Sequence, residues 1–173
     1  MNNNPSNQTT LLVIDVQNGL FAKSTPIYRA EALLANIGAL VDRAHLAGAL
    51  VCYVQHTNNS MPTGSEAWQL HPQLHPLDTA KLIQKQHGSA FQDTPLKTEL
   101  DAGGITRLVV TGLVTHGCVK AACLDAKKFG YAVTLVTDGH SNFHKQAAQV
   151  IEEWQQKLAE AGVELKSTAQ IEF

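Results

Sequence analysis

The stretch RLVVTGLVTHGCVKAACLDAKKFGYAVTLVTDG, residues 107–139, holds a whole strand, helix, strand unit. Arg107 to Thr111 and Ala132 to Thr137 are short runs rich in Val and Leu, the pattern of strands buried on both faces. Between them about His116 to Phe129 reads as a helical segment followed by Gly130. Two such strands joined through a helix must run parallel, with the helix crossing over one face of the sheet.

The same grammar extends outward in both directions. Leu11 to Val16 and Leu50 to Gln55 read as strands around a helix from Glu31 to Ala47, whose Leu33, Leu34, Ile37, Leu40, Val41, Ala44 and Ala47 share helical spacing ahead of Gly48. Lys81 to Lys85 is a further strand, and a last helix, Lys145 to Ala161, ends at Gly162 before a final strand, Val163 to Ser167. The fold class this predicts is α/β, a three-layer α/β/α arrangement with a mainly parallel, roughly six-stranded Rossmann-like sheet. Residues 1–10 read as a flexible polar leader and 11–173 as a single domain.

Composition narrows the function. Of 173 residues 44% are hydrophobic and 16% charged, with a formal net charge of -2, which gives no footprint for nucleic acid or an anionic membrane and points to a small-molecule substrate. The three cysteines, Cys52, Cys118 and Cys123, form no C-x-x-C pair and are odd in number, as in a reducing compartment. With no basic start followed by an apolar run, the chain reads as cytoplasmic.

In open parallel sheets ligands bind beyond the carboxyl ends of the strands, so residues there carry the interest. Asp15 closes the first strand in LLVIDVQNGLF, where an acid is costly unless paired or used. Cys118 falls in the first turn of the helix after Thr111-Gly112, a position whose free N–H groups lower a thiol's pKa. Lys85 follows a short apolar run and precedes Gly88-Ser89, while Cys52 and Cys123 read as small buried hydrophobes. The crowded Asn58 to Pro76 stretch is a candidate pocket wall. His56, His71 and His75 cluster near the second strand and this loop, but Pro72 and Pro76 interrupt the segment, and no carboxylate stands beside His56 to complete a metal site. Glycine-rich phosphate motifs are absent.

Taken in order, D-V-Q-N from Asp15, a lysine before Ser89-Ala90-Phe91, and G-x-x-T-x-x-C-V from Gly112 resemble the isochorismatase-like cysteine hydrolases. GYAVTLVTDGHSNF from Gly130 and GSEAWQLHP from Gly64 add to the likeness, which spans nearly the whole chain. The resemblance implies a triad of Asp15, Lys85 and Cys118, a cis peptide between Leu113 and Val114, and an oxyanion hole from the N–H groups of Val114 and Cys118. No cofactor is expected, and the resemblance implies a homodimer or larger homo-oligomer.

Gln55-His56-Thr57 stands where nicotinamidases carry a metal-binding D-x-H, which points away from that activity. His116 replaces an acidic residue common two positions before the cysteine, and the presence of Cys118 favours acyl chemistry over vinyl-ether hydrolysis. The expected reaction is cleavage of an amide-type C–N bond in a small molecule through a thioester on Cys118. Gln17, Phe21, Trp68, Leu113 and His116 are the expected pocket wall. The alternatives are a hydrolase of another small-molecule bond and a non-catalytic flavodoxin-like binding module; a thiol redox protein would need a resolving cysteine nearer to Cys118 than Cys123.

Overall fold

The computed structural model describes residues 8–173. Chain order runs β1 (Thr9–Ile14), α1 (Asn18–Phe21), α2 (Ala30–Ala47), β2 (Leu50–His56), β3 (Lys81–Lys85), α3 (Leu96–Ala102), β4 (Arg107–Leu113), α4 (Lys120–Lys128), β5 (Ala132–Ser141), α5 (Ala147–Glu160) and β6 (Glu164–Lys166). Every pairing in the sheet is parallel, in the order β3-β2-β1-β4-β5-β6. Strand order therefore reverses between β1 and β4, and the crevice beyond their carboxyl ends is where this architecture admits a ligand.

Alternation along β1 sorts the core into two layers. Leu11 and Val13 face α2 and pack with its Leu33, Leu34, Ile37, Leu40 and Val41. Leu12 and Ile14 face the opposite side with Cys52, Val54, Leu108 and Val110, where α3, α4 and α5 supply Leu96, Leu100, Cys123, Ala126 and Leu158. Cys52 and Cys123 are thus core residues. The chain end is pinned to α2 by Arg43, which donates to Thr168 O at 2.6 Å and Ile171 O at 3.1 Å.

The largest differences from expectation are two strand limits and one additional helix. β1 begins at Thr9, so Thr9 and Thr10 of the expected leader are buried strand residues, while residues 1–7 lie outside the described residues. The helix α3 has no counterpart in the sequence pattern, because its only buried residues are Leu96 and Leu100, a single helical step. β5 runs four residues past Thr137: its register against β4 shifts between Val110 and Gly112, and the strand resumes with His140 opposite Gly112 and Ser141 opposite Leu113.

Candidate active site

β1 ends at Ile14, and Asp15 follows with φ 52°, its N–H donating to Val54 O at 2.9 Å. This left-handed turn sends the carboxylate into the crevice rather than along the strand. The close approach of β4 makes it possible. Gly112 has φ 114°, and an added Cβ would stand 2.1 Å from Ile14 O, so only glycine lets the two strand ends lie this near. One residue on, the Leu113–Val114 peptide is cis, as the resemblance implied.

Cys118 lies in a π-helical turn, Thr115–Val119, kinked at Gly117, with α4 proper beginning at Lys120. Lys85 closes β3, opposite His56 in the parallel register, so both side chains leave the same face. The three expected catalytic residues meet there. Lys85 Nζ is 2.9 Å from Asp15 Oδ2 and 3.1 Å from Cys118 Sγ. Its side chain is 0% exposed, so the ion pair is shielded from water and screened little by salt. Asp15 Oδ1 is buried and accepts no hydrogen bond.

Burial, and then the negative charge of Asp15, push the Cys118 thiol up to about 11, against the opposing pull of Lys85. Burial also raises Asp15, with Lys85 holding it back. Burial thus weighs against charge on both the thiol and the carboxyl, and Lys85 is the group that opposes it at each.

The expected pocket wall divides. Gln17 is fully buried, and its amide is spent on backbone: Oε1 accepts from His56 N at 2.8 Å, while Nε2 donates to His56 O at 3.0 Å and Trp68 O at 2.8 Å. It fastens the long loop to β2 and has no polar group left for a substrate. Leu113 is likewise 0% exposed in the core against α2. Both are corrected to structural roles. Phe21 is half-buried against the ring of His71, with centroids 4.5 Å apart. Trp68 is half-buried with an unpartnered indole N–H, and His116 half-buried with an unpartnered Nδ1. His116 also borders a pocket of about 540 Å³ with Phe143, His144, Lys145 and Gln146.

Two contributors are not evident in the sequence. There His56 offers itself only as a metal ligand, yet its Nδ1 is 3.0 Å from Lys85 Nζ. Among the described residues no three His, Cys, Asp or Glu side chains gather as a metal would need. The other is His140, returned to the sheet by the β5 bulge. Gln155 Nε2 donates to Thr137 O at 2.8 Å and to His140 Nε2 at 3.0 Å, so the imidazole proton sits on Nδ1 and faces Thr115 Oγ1 at 2.9 Å. Through Thr115 this chain braces the turn that carries Cys118.

Burial pushes His140 down from 6.5 to about 4. The unfolded chain takes up this proton first, so the stabilisation is complete above pH 6.5 and is lost as pH falls toward 4. At pH 5 the loss from this residue is about 2 kcal/mol, and His140→Gln should flatten the dependence. Urea denaturation at pH 7.5 and 5 measures it; identical pH slopes in both proteins would rule out His140 as the source.

Against known proteins, the isochorismatase domain model matches residues 9–165. A streptothricin hydrolase of Streptomyces noursei is 34% identical over 143 residues, covering 80% of this chain and 51% of that protein. The isochorismatase family protein YddQ of Bacillus subtilis (strain 168) is 30% identical over 136 residues, covering 75% of this chain and 76% of that protein. A crystal structure of an isochorismatase from Pseudomonas putida KT2440 superposes with a TM-score of 0.88 at 26% identity, covering 96% of this chain and 91% of that one. The chain spans about half the length of the two streptothricin hydrolases it matches.

Proposed function

The chain belongs to the isochorismatase family of hydrolases, and from that premise we propose that it cleaves an amide-type C–N bond in a small molecule through a thioester on Cys118. The observation that carries this reading is a single buried ammonium, Lys85 Nζ, within 3.1 Å of both the Asp15 carboxylate and the Cys118 sulfur.

A thiol raised to about 11 needs a base at hand when the substrate arrives. Asp15, with a free buried oxygen and a raised affinity for protons, takes the thiol proton, and Lys85 offsets the charge that appears on sulfur. The thiolate attacks the carbonyl carbon, and the oxyanion meets the N–H groups of Val114 and Cys118. Collapse breaks the C–N bond as Asp15 returns its proton to the departing nitrogen. A water molecule, deprotonated by Asp15, then attacks the thioester; the acid leaves, and the released thiolate recovers a proton from Asp15.

Phe21, Trp68 and His116 are the side chains of the expected wall that remain open enough to border a substrate. The relatives named for streptothricin make that compound a first member of the test panel. Release of amine or ammonia from streptothricin and a set of small primary amides is expected from the wild type. Cys118→Ala should lower it on the order of 10⁴-fold or more. Equal rates in the two proteins would overturn the covalent reading, and no release from any amide would move the proposal to another bond class.

A further inference from the structure

Four groups crowd the Lys85 ammonium. Asp15 Oδ2 lies at 2.9 Å, His56 Nδ1 at 3.0 Å, and the His87 carbonyl and Cys118 Sγ each at 3.1 Å. An ammonium donates and accepts none, so a hydrogen bond between Lys85 Nζ and His56 Nδ1 requires the imidazole to accept there, with the ring proton on Nε2. The other tautomer would aim its Nδ1–H toward the His87 carbonyl, which also borders the ring. It would then set that N–H against the ammonium 3.0 Å away, and the ammonium already donates to that carbonyl.

We propose that His56 is a positioning residue for Lys85: as the Nε2–H tautomer it takes one ammonium proton on Nδ1, the His87 carbonyl takes a second, and the third is shared between Asp15 and Cys118. While Asp15 is a carboxylate, the third proton points to Oδ2. Once the thiol has passed its proton to Asp15, the same N–H turns to Sγ, and the cation follows the negative charge with its nitrogen fixed. Four acceptors for three protons is the condition that permits this exchange.

The ring is itself held. Its backbone N–H and C=O are both bound by Gln17, at 2.8 and 3.0 Å. The charged and titratable groups facing it are Lys85 and His87 from β3 and the turn beyond, and Asp15 from the end of β1. A proton added at Nδ1 would remove the acceptor and oppose the Lys85 ammonium, so acid disengages Lys85. Burial, and then the charge of Lys85, hold His56 neutral below its ordinary range, which keeps the acceptor in place near neutrality.

The structural claim is tested without substrate, by ¹⁵N NMR of the histidine rings at pH 7.5 with His56→Asn used to assign the signal. An Nε2–H imidazole at His56 is expected; a protonated Nδ1 overturns the proposal. The functional claim rests on the hydrolase reading and is tested by His56→Asn, whose Oδ1 can replace Nδ1, beside His56→Leu, which offers no acceptor. The Asn variant should keep kcat within about tenfold and the Leu variant lose about 100-fold, the size of effect a misplaced catalytic group produces. The acid limb of kcat/KM should reflect two protons in the wild type and one in His56→Asn. Equal losses in the two variants, or an unchanged limb, overturn it. Should no protein hydrolyse any amide, the hydrolase reading fails, and the ring measurement still decides where His56 holds its proton.

Discussion

Asp15→Asn is expected to make Cys118 more reactive toward iodoacetamide at pH 8 while lowering amide turnover by about 10³-fold. The two effects have one origin. In the native centre the Asp15 charge raises the thiol and Lys85 lowers it. Removing the carboxylate leaves a buried ammonium 3.1 Å from sulfur with no anion to balance it, so the thiolate becomes its counter-ion. Loss of a neighbouring charge shifts a buried group by about 1 to 3 units. A shift of about two units raises the thiolate fraction about 100-fold, and the lower intrinsic nucleophilicity of a more acidic thiol takes back about tenfold, leaving alkylation about tenfold faster. Turnover falls nonetheless, because the departing nitrogen has no proton donor and the deacylating water no base, each step of that kind being worth about 10² to 10⁴. Slower alkylation in the variant would mean that Asp15 promotes the resting thiolate, and the roles assigned above would be wrong.

Gly112→Ala is expected to cost more stability than a methyl group added at any other glycine among the described residues, above about 4 kcal/mol, or to leave no folded protein. Its Cβ would lie 2.1 Å from Ile14 O and 2.6 Å from Ile14 N, both backbone atoms, at a φ of 114° that L residues rarely adopt. Separating β4 from β1 to relieve the clash would break the pairing of Gly112 with Ile14, one residue before Asp15. Gly38→Ala is the control: it lies inside α2 with nothing within 4 Å of the new methyl, and should stabilise by about 0.5 to 1 kcal/mol. Urea midpoints for the two variants compare them directly. A Gly112→Ala protein as stable as the wild type would mean that the strand ends are not held this close.

The layer order of this fold is legible in the sequence because apolar strands buried on both faces can be satisfied only by helices above and below. Asp15, just past the end of β1, and Cys118, in the turn that follows β4, stand out on either side of the strand-order reversal. Lys85 is harder to weigh, since a lysine after KLIQ looks solvated, and its burial depends on partners 70 and 33 residues away that local pattern does not connect. The end of β5 is misplaced by pattern because Asp138-Gly139-His140 has the composition of a turn, whereas the chain bulges and rejoins the sheet. Position beside Asp15 puts Gln17 in the pocket, and nothing in D-V-Q-N reveals that its amide is consumed by His56 and Trp68. His56 is legible as a residue at a strand end, but its role emerges only from the parallel register that sets it opposite Lys85.

The most direct test of the covalent path on Cys118 is partition of the acyl group between water and added hydroxylamine, using a primary amide and an N-methyl amide that share one acyl group. A thioester common to both substrates requires the same ratio of hydroxamate to acid from each, and no hydroxamate from Cys118→Ala. A ratio that follows the departing amine, or hydroxamate formed at the wild-type ratio without Cys118, would contradict it.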